Sequence, residues 1–302
     1  MYLVSWLKNY IKHPLVMGSI LPTSGSASKL MAKDLVAPEA NLVLELGSGT
    51  GAITQALLRK GVLEENLVLV EVGGRAHASL VAFDKNSGNI IWESDDSKIG
   101  GYSSPIAVTS YDIRQAIFFT GNYLVSVAPT SGKIYWKYPW KTSFDVNAST
   151  PIFIPSDKLF ISSGYGVGAT TLQMKLNNES IDVEEVWRSK VMKNQFGTAV
   201  LNGDYLFGFD DRILVCINAN TGKEMWKQRG YGQGTLILAD NHLIILSDKG
   251  KLALAEVSSS GFKEKAGMQV LNGTCWTVPT LSGGKLYLRS MNEIVCLQIT
   301  NE

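Results

Sequence analysis

From about residue 79 to the end of the chain, apolar and polar residues alternate in short runs, which predicts β-strands with one face on a core. Three of these runs share one plan: LVAFDKNSGNIIWES, LVSVAPTSGKIYWKY and LVCINANTGKEMWKQ. Each reads as a strand, a turn closing on glycine (Gly88, Gly132, Gly222) and a second strand carrying a tryptophan (Trp92, Trp136, Trp226). Trp187 in VEEVWRS marks a fourth, divergent copy whose turn is lengthened by LNNESIDV. A second landmark, YSSPIAV, ASTPIFI, FGTAVLN, GQGTLIL and WTVPTLS, opens successive units. The repeat length of roughly 40 residues is that of a four-stranded propeller blade. Glycine permits the positive φ of a tight turn, and tryptophan is a large rigid plate to set between neighbouring blades. Whole units are expected at 102–142, 147–190, 195–230 and 231–271, with partial ones at 77–96 and 275–300.

Upstream the pattern changes. NLVLELGSGTGAITQALLRKG reads as a short apolar strand, a glycine turn and an amphipathic helix over about 52–60, and NLVLVE supplies a second apolar strand ending in Glu71. A glycine turn at a helix N-terminus lets a ligand approach the backbone closely, and an acid at the tip of the neighbouring strand can accept hydrogen bonds from ribose hydroxyls. Leu3, Trp6, Leu7 and Tyr10 fall on one helical face beside Lys8 and Lys12. Such a helix docks on its own domain or lies on a membrane surface, so residues 1–21 are a candidate peripheral membrane contact.

Two resemblances follow from these motifs. VLELGSGTG with LVLVE resembles the first motif and ribose-binding strand of class I S-adenosylmethionine-dependent methyltransferases. HPLVMGSILPTSGSASKLMAKDL is similar to the opening segment of the phospholipid N-methyltransferases, relatives of the ribosomal RNA adenine dimethyltransferases. This resemblance implies that Glu45, Gly47, Ser48, Gly49 and Gly51 surround S-adenosylmethionine, that Glu71 holds its ribose, and that Thr23 and Ser24 lie nearby. It ends at Val72, without the later strands and the acceptor loop. The repeat D-x-x-(S/T)-G-x-x-x-W resembles the tryptophan docking motif of pyrroloquinoline-quinone-like β-propellers, and CWTVPTLSGGKLYLRSMNEIVCLQI resembles their last blade. The vicinal cysteines and calcium-binding acids of the quinone dehydrogenases are missing, which argues against bound quinone and an oxidoreductase.

The expected fold class is therefore multi-domain, α/β plus all-β. A truncated Rossmann-like methyltransferase fragment over 1–73 precedes a partial propeller over 77–302, and the join at Gly73–Gly74 reads as a fusion of two truncated genes. Composition narrows function further. A formal net charge of +1 supplies no basic field to hold nucleic acid. Cys216, Cys275 and Cys296 form no CxxC pair, and His13, His77 and His242 have no ligand-spaced partner, so no metal site is expected. No apolar stretch is long enough to span a bilayer. In the absence of a basic n-region at the start, the cytoplasm is expected, although the propeller resemblance points to proteins that are often exported. The expected function is a non-enzymatic platform binding a protein or small molecule on the propeller, beside a vestigial S-adenosylmethionine-binding fragment. The alternative is a methyltransferase acting on phospholipid, RNA or protein at a membrane surface.

Overall fold

The computed structural model describes residues 44–45, 67–72, 80–94, 99–178 and 180–299. Among these residues every regular element is a β-strand. Sheet 1 comprises Leu44–Glu45, Leu67–Glu71, Leu80–Asp84 and Ile90–Ser94, in chain order. Sheet 2 comprises Ile106–Ser110, Ile113–Phe119, Tyr123–Val127 and Ile134–Pro139. Sheet 3 is built from Ile152–Ile154, Lys158–Ser163, Gly168–Asn177 and Ser180–Ser189, and sheet 4 from Val200–Asn202, Tyr205–Asp210, Ile213–Asn218 and Glu224–Gln228. Sheet 5 holds Thr235–Ala239, His242–Leu246, Lys251–Glu256 and Glu264–Gln269; the three-stranded sheet 6 holds Thr280–Ser282, Lys285–Arg289 and Ile294–Gln298. Sheets 2 to 6 are antiparallel meanders. The chain divides into two compact units, Met1–Trp140 and Lys141–Glu302.

The expected α/β fragment is corrected by sheet 1. Leu67–Glu71 runs antiparallel to Leu80–Asp84, from Leu67 opposite Asp84 to Glu71 opposite Leu80. The strands on either side of the expected join thus share one sheet, and that sheet ends in the Trp92 strand. The two-residue strand Leu44–Glu45 lies parallel to Leu67–Glu71 at its other edge. Among the described residues the architecture is all-β, and its four-stranded sheets resemble those of a propeller and not a Rossmann-like fragment.

The misreading has a physical cause. LVLVE is buried at every position, as an α/β strand would be. Strands inside these sheets are also buried on both faces: Leu159 to Ser163 in sheet 3 and Leu243 to Leu246 in sheet 5 are buried without alternation. Sandwiching between neighbouring sheets removes the polar face, so a continuous apolar run does not separate parallel from antiparallel pairing. Fourth strands do alternate in sheets 1 and 4, as in IIWES and EMWKQ.

Neighbouring sheets within each unit share cores. Leu69, Leu80, Ala82 and Trp92 of sheet 1 meet Ala116, Phe118 and Val125 of sheet 2. Phe160 and Trp187 of sheet 3 meet Leu206 and Val215 of sheet 4. Phe207 and Cys216 of sheet 4 face Leu236 and Leu243 of sheet 5, and Ile244 and Leu246 of sheet 5 face Leu286 and Leu288 of sheet 6.

The repeated motif builds these interfaces. In the first and fourth sheets, Asp84 and Asn218 each accept, through Oδ1, the backbone N–H groups two and three residues on and the hydroxyl of Ser87 or Thr221. The chain then turns through Gly88 (φ 72°) and Gly222 (φ 68°), a region only glycine enters without strain. The glycine also makes room. A Cβ on Gly132 would lie 2.5 Å from the ring of Trp92, and one on Gly222 would lie 2.4 Å from that of Trp187. The indoles of Trp92, Trp187 and Trp226 donate to the carbonyls of Pro129, Ala219 and Ser258, each in the turn of the following sheet. Each tryptophan is therefore a plug seated in the next sheet's turn. Trp92 and Trp136 are buried, whereas Trp187 and Trp226 are half-buried.

Trp136 departs from this rule. The copy after it carries the long hairpin without the glycine, and Trp136 donates instead to Gln115 Oε1 in its own sheet, at 2.9 Å. Size is matched across the strand pair as well. Ala82, Ser126, Thr171 and Cys216 stand opposite the tryptophans, each followed by a break in register. Sheet 5 reverses the sizes: Leu254 stands opposite Ala266.

Candidate functional site

Glu71, expected to hold a ribose, is the last residue of the second strand of sheet 1 and is only 5% exposed. Its Oε1 accepts the Gly101 N–H at 2.6 Å, and Oε2 has no hydrogen-bond partner among the described residues. Burial pushes the carboxyl up to about 8, against the opposing effect of the Gly101 hydrogen bond. Glu71 thus ties sheet 1 to the segment leading into sheet 2. The backbone of Glu45 lies beside Val70. Gly47, Ser48, Gly49 and Gly51, together with Thr23, Ser24, residues 1–21 and the helix expected over 52–60, lie outside the described residues. Among the described residues no group of three or more His, Cys, Asp or Glu is placed to hold a metal ion.

A different set of side chains gathers where the first strands of sheets 3 to 6 begin. The leading segments run against one another: Thr150 N–H donates to Thr198 Oγ1 at 2.9 Å, and Thr235 Oγ1 donates to the Thr277 carbonyl at 3.3 Å. Gln233 Nε2 donates to Gln195 Oε1. Across these segments Phe196 and Trp276, two sheets apart, stack with centroids 4.9 Å apart and an interplanar angle of 28°. Both remain open, Phe196 at 37% and Trp276 at 48% exposure.

A second aromatic pair adjoins the first. Phe144, 70% exposed, meets Tyr165 edge-on at 5.1 Å. Gly164, next to Tyr165, lies against Gln195, so close that a Cβ there would be 3.2 Å from the glutamine Cβ. Gln195 thus links the two pairs: it touches Gly164 beside Tyr165, precedes Phe196 in the chain and is hydrogen-bonded to Gln233.

The charges nearby are used within the protein. Arg212 pairs with Asp248 at 3.0 Å, and Asp248 also accepts the Gln233 N–H. Lys193 pairs with Asp210 and, at 3.4 Å, with Asp211. Burial works against the Lys193 charge, but the two carboxylates outweigh it and hold its ammonium above the ordinary range. What this surface offers is aromatic faces and carboxamides, which stack and hydrogen-bond but supply neither nucleophile nor general base.

The sequence expectations assigned no role to Phe144, Tyr165, Gln195 or Gln233, and treated Phe196 and Trp276 only as openings of repeats. One signal was available: the first landmark position is aromatic in Tyr102, Phe196 and Trp276 but small in Ala148 and Gly232.

The family model of the outer membrane protein assembly factor BamB matches residues 50–181 and 179–261. The chain belongs to this family. BamB from Moraxella catarrhalis superposes with a TM-score of 0.54 at 14% identity, over 76% of this chain and 70% of that one. Saccharomyces cerevisiae Sqt1 superposes with a TM-score of 0.58 at 12% identity, over 78% of this chain and 69% of that one. At such identities the likeness is one of fold. None of the curated proteins matches the chain. The expected pyrroloquinoline-quinone-like repeat is thus supported through the BamB family, whose match already begins inside the segment read as a methyltransferase.

Proposed function

We propose that this chain is a non-enzymatic platform of the BamB type that engages a protein partner during an assembly step. The observation that carries the reading is the Phe196–Trp276 pair, stacked on each other yet each more than a third open to solvent. Aromatic side chains held rigid by packing present a large apolar area with little entropy left to lose, which is why they anchor protein interfaces. The family's name, outer membrane protein assembly factor, supplies the class of task.

The test is photo-crosslinking in the native cell, with the reactive residue placed at position 196 or 276, or at Glu184 on the long hairpin of sheet 3. Discrete protein adducts from 196 and 276, with none from 184, are expected. Absence of adducts from every position overturns the reading.

A further inference from the structure

The arrangement of the two aromatic pairs around Gln195 and Gln233 points to the chemistry of the partner. We propose that these six side chains form one site for an extended, proline-containing segment of a partner protein, bound in the polyproline II conformation. The proposal rests on the protein-platform reading and narrows it.

Gln233 and Gln195 share one hydrogen bond. That leaves the amino group of Gln195 and the carbonyl oxygen of Gln233 with capacity to spare. The Gln195 amino group can donate to the carbonyl of a backbone lying across the pair, a group that proline keeps although it has no N–H. A polyproline II segment has no internal hydrogen bonds and keeps its backbone groups available. Its prolines present flat apolar rings that stack on aromatic faces, and its preformed shape lowers the entropy lost on binding. Prolines three residues apart fall on one face of that helix, so a single segment can offer a ring to each aromatic pair.

Charge supports the same occupant. Arg212 is paired with Asp248, and Lys193 with its two aspartates, so both cations are met by carboxylates and neither is left over for a phosphate or an anionic lipid. An apolar segment without phosphate or carboxylate groups and with exposed backbone carbonyls fits such a surface.

The full chain is titrated with blocked, fluorescently labelled decaproline, and with maltohexaose as a glycan control. Decaproline is expected to bind, with an affinity that changes little with added salt. Phe144→Ala and Trp276→Ala should each weaken it about tenfold, the usual effect of losing an interface anchor. Gln195→Leu should weaken it while leaving both aromatic pairs in place. Urea midpoints close to the parent's show that the variants are folded; a variant with a shifted midpoint is replaced by Phe144→Ser or Trp276→Gln. The proposal is overturned if decaproline does not bind, if the folded variants bind it as well as the parent, or if maltohexaose binds in its place. Failure here with crosslinks still forming at 196 and 276 removes the proline reading alone. Loss of both removes the platform as well.

Discussion

Glycine at position 222 has two separable roles, and a pair of substitutions tells them apart. Gly222 adopts φ 68° and has no room for a Cβ against Trp187, whereas Gly203 adopts φ 56° with nothing within 4 Å of its Cβ position. Gly203→Ala should therefore cost about 1–2 kcal/mol for the left-handed backbone alone. Gly222→Ala should add about 1–3 kcal/mol of overpacking against the indole. Urea midpoints measure both, and equal losses would show that the tryptophan yields freely. Glu71 adds a pH dependence at the same scale. Its folded pKa of about 8 lies above the ordinary glutamate value of 4.5, so between these values the folded chain keeps a proton that the unfolded chain has released. Its contribution to stability is greatest below pH 4.5, declines as pH rises to about 8 and is level above that. The loss across this window is on the order of 3–5 kcal/mol. Glu71→Gln, with no proton to lose, should remove this decline in a series of urea melts at pH 5, 7 and 9. A slope unchanged by the substitution would rule out a protonated Glu71.

At the scale of elements, the strand pair carrying each tryptophan is the unit that must be matched. Trp136→Ala removes a buried plate and should cost about 3–5 kcal/mol. Gln115→Leu keeps the plate but strands the indole N–H in a buried place, at about 1–3 kcal/mol. Both changes act on one contact, so the double variant should cost less than the sum. Strict additivity in the double-mutant cycle would mean that the hydrogen bond contributes nothing. The strand edges also explain what was legible. Trp92, Trp187 and Trp226 recur in sequence because each meets a small residue opposite and a turn one repeat away, and Trp136 because it keeps the small residue and a partner in its own sheet. The aromatic strip left a weaker trace. It joins Phe196 to Trp276 across an intervening repeat, and Gln195 to a glycine in another sheet, contacts set by how sheets stand side by side and not by any period along the chain.

For the molecule as a whole, repeat and family were readable once the tryptophan and glycine landmarks were aligned, whereas the start of the first sheet was not. LVLVE carries the same apolar run in either kind of sheet, and the glycine-rich stretch before it outweighed the strand after it. Stability should also vary along the chain. The central strands of sheet 2 bury Ile117, Phe118, Phe119 and Leu124 completely, while in sheet 6 only alternate residues of Lys285–Arg289 are covered and Ile294 is 75% exposed. Amide hydrogen exchange should therefore be slowest at Phe118 and Leu124 and faster by orders of magnitude at Ile294–Gln298. Uniform protection across these sheets would contradict that gradient.

The plug of one sheet and the socket of the next have a consequence for inheritance. Sheet 4 carries both parts, the Trp226 that reaches forward and the Gly222 turn that receives Trp187 from behind. Unequal crossing-over that copies or drops one full period from such a stretch gives every new seam a complete pair. A break at any other phase leaves a tryptophan facing a turn with no space for it. Gene lengths in this lineage should then step by whole periods, and the irregular copies, the one after Trp136 and the one with Ala266, should be the places where such steps are not tolerated.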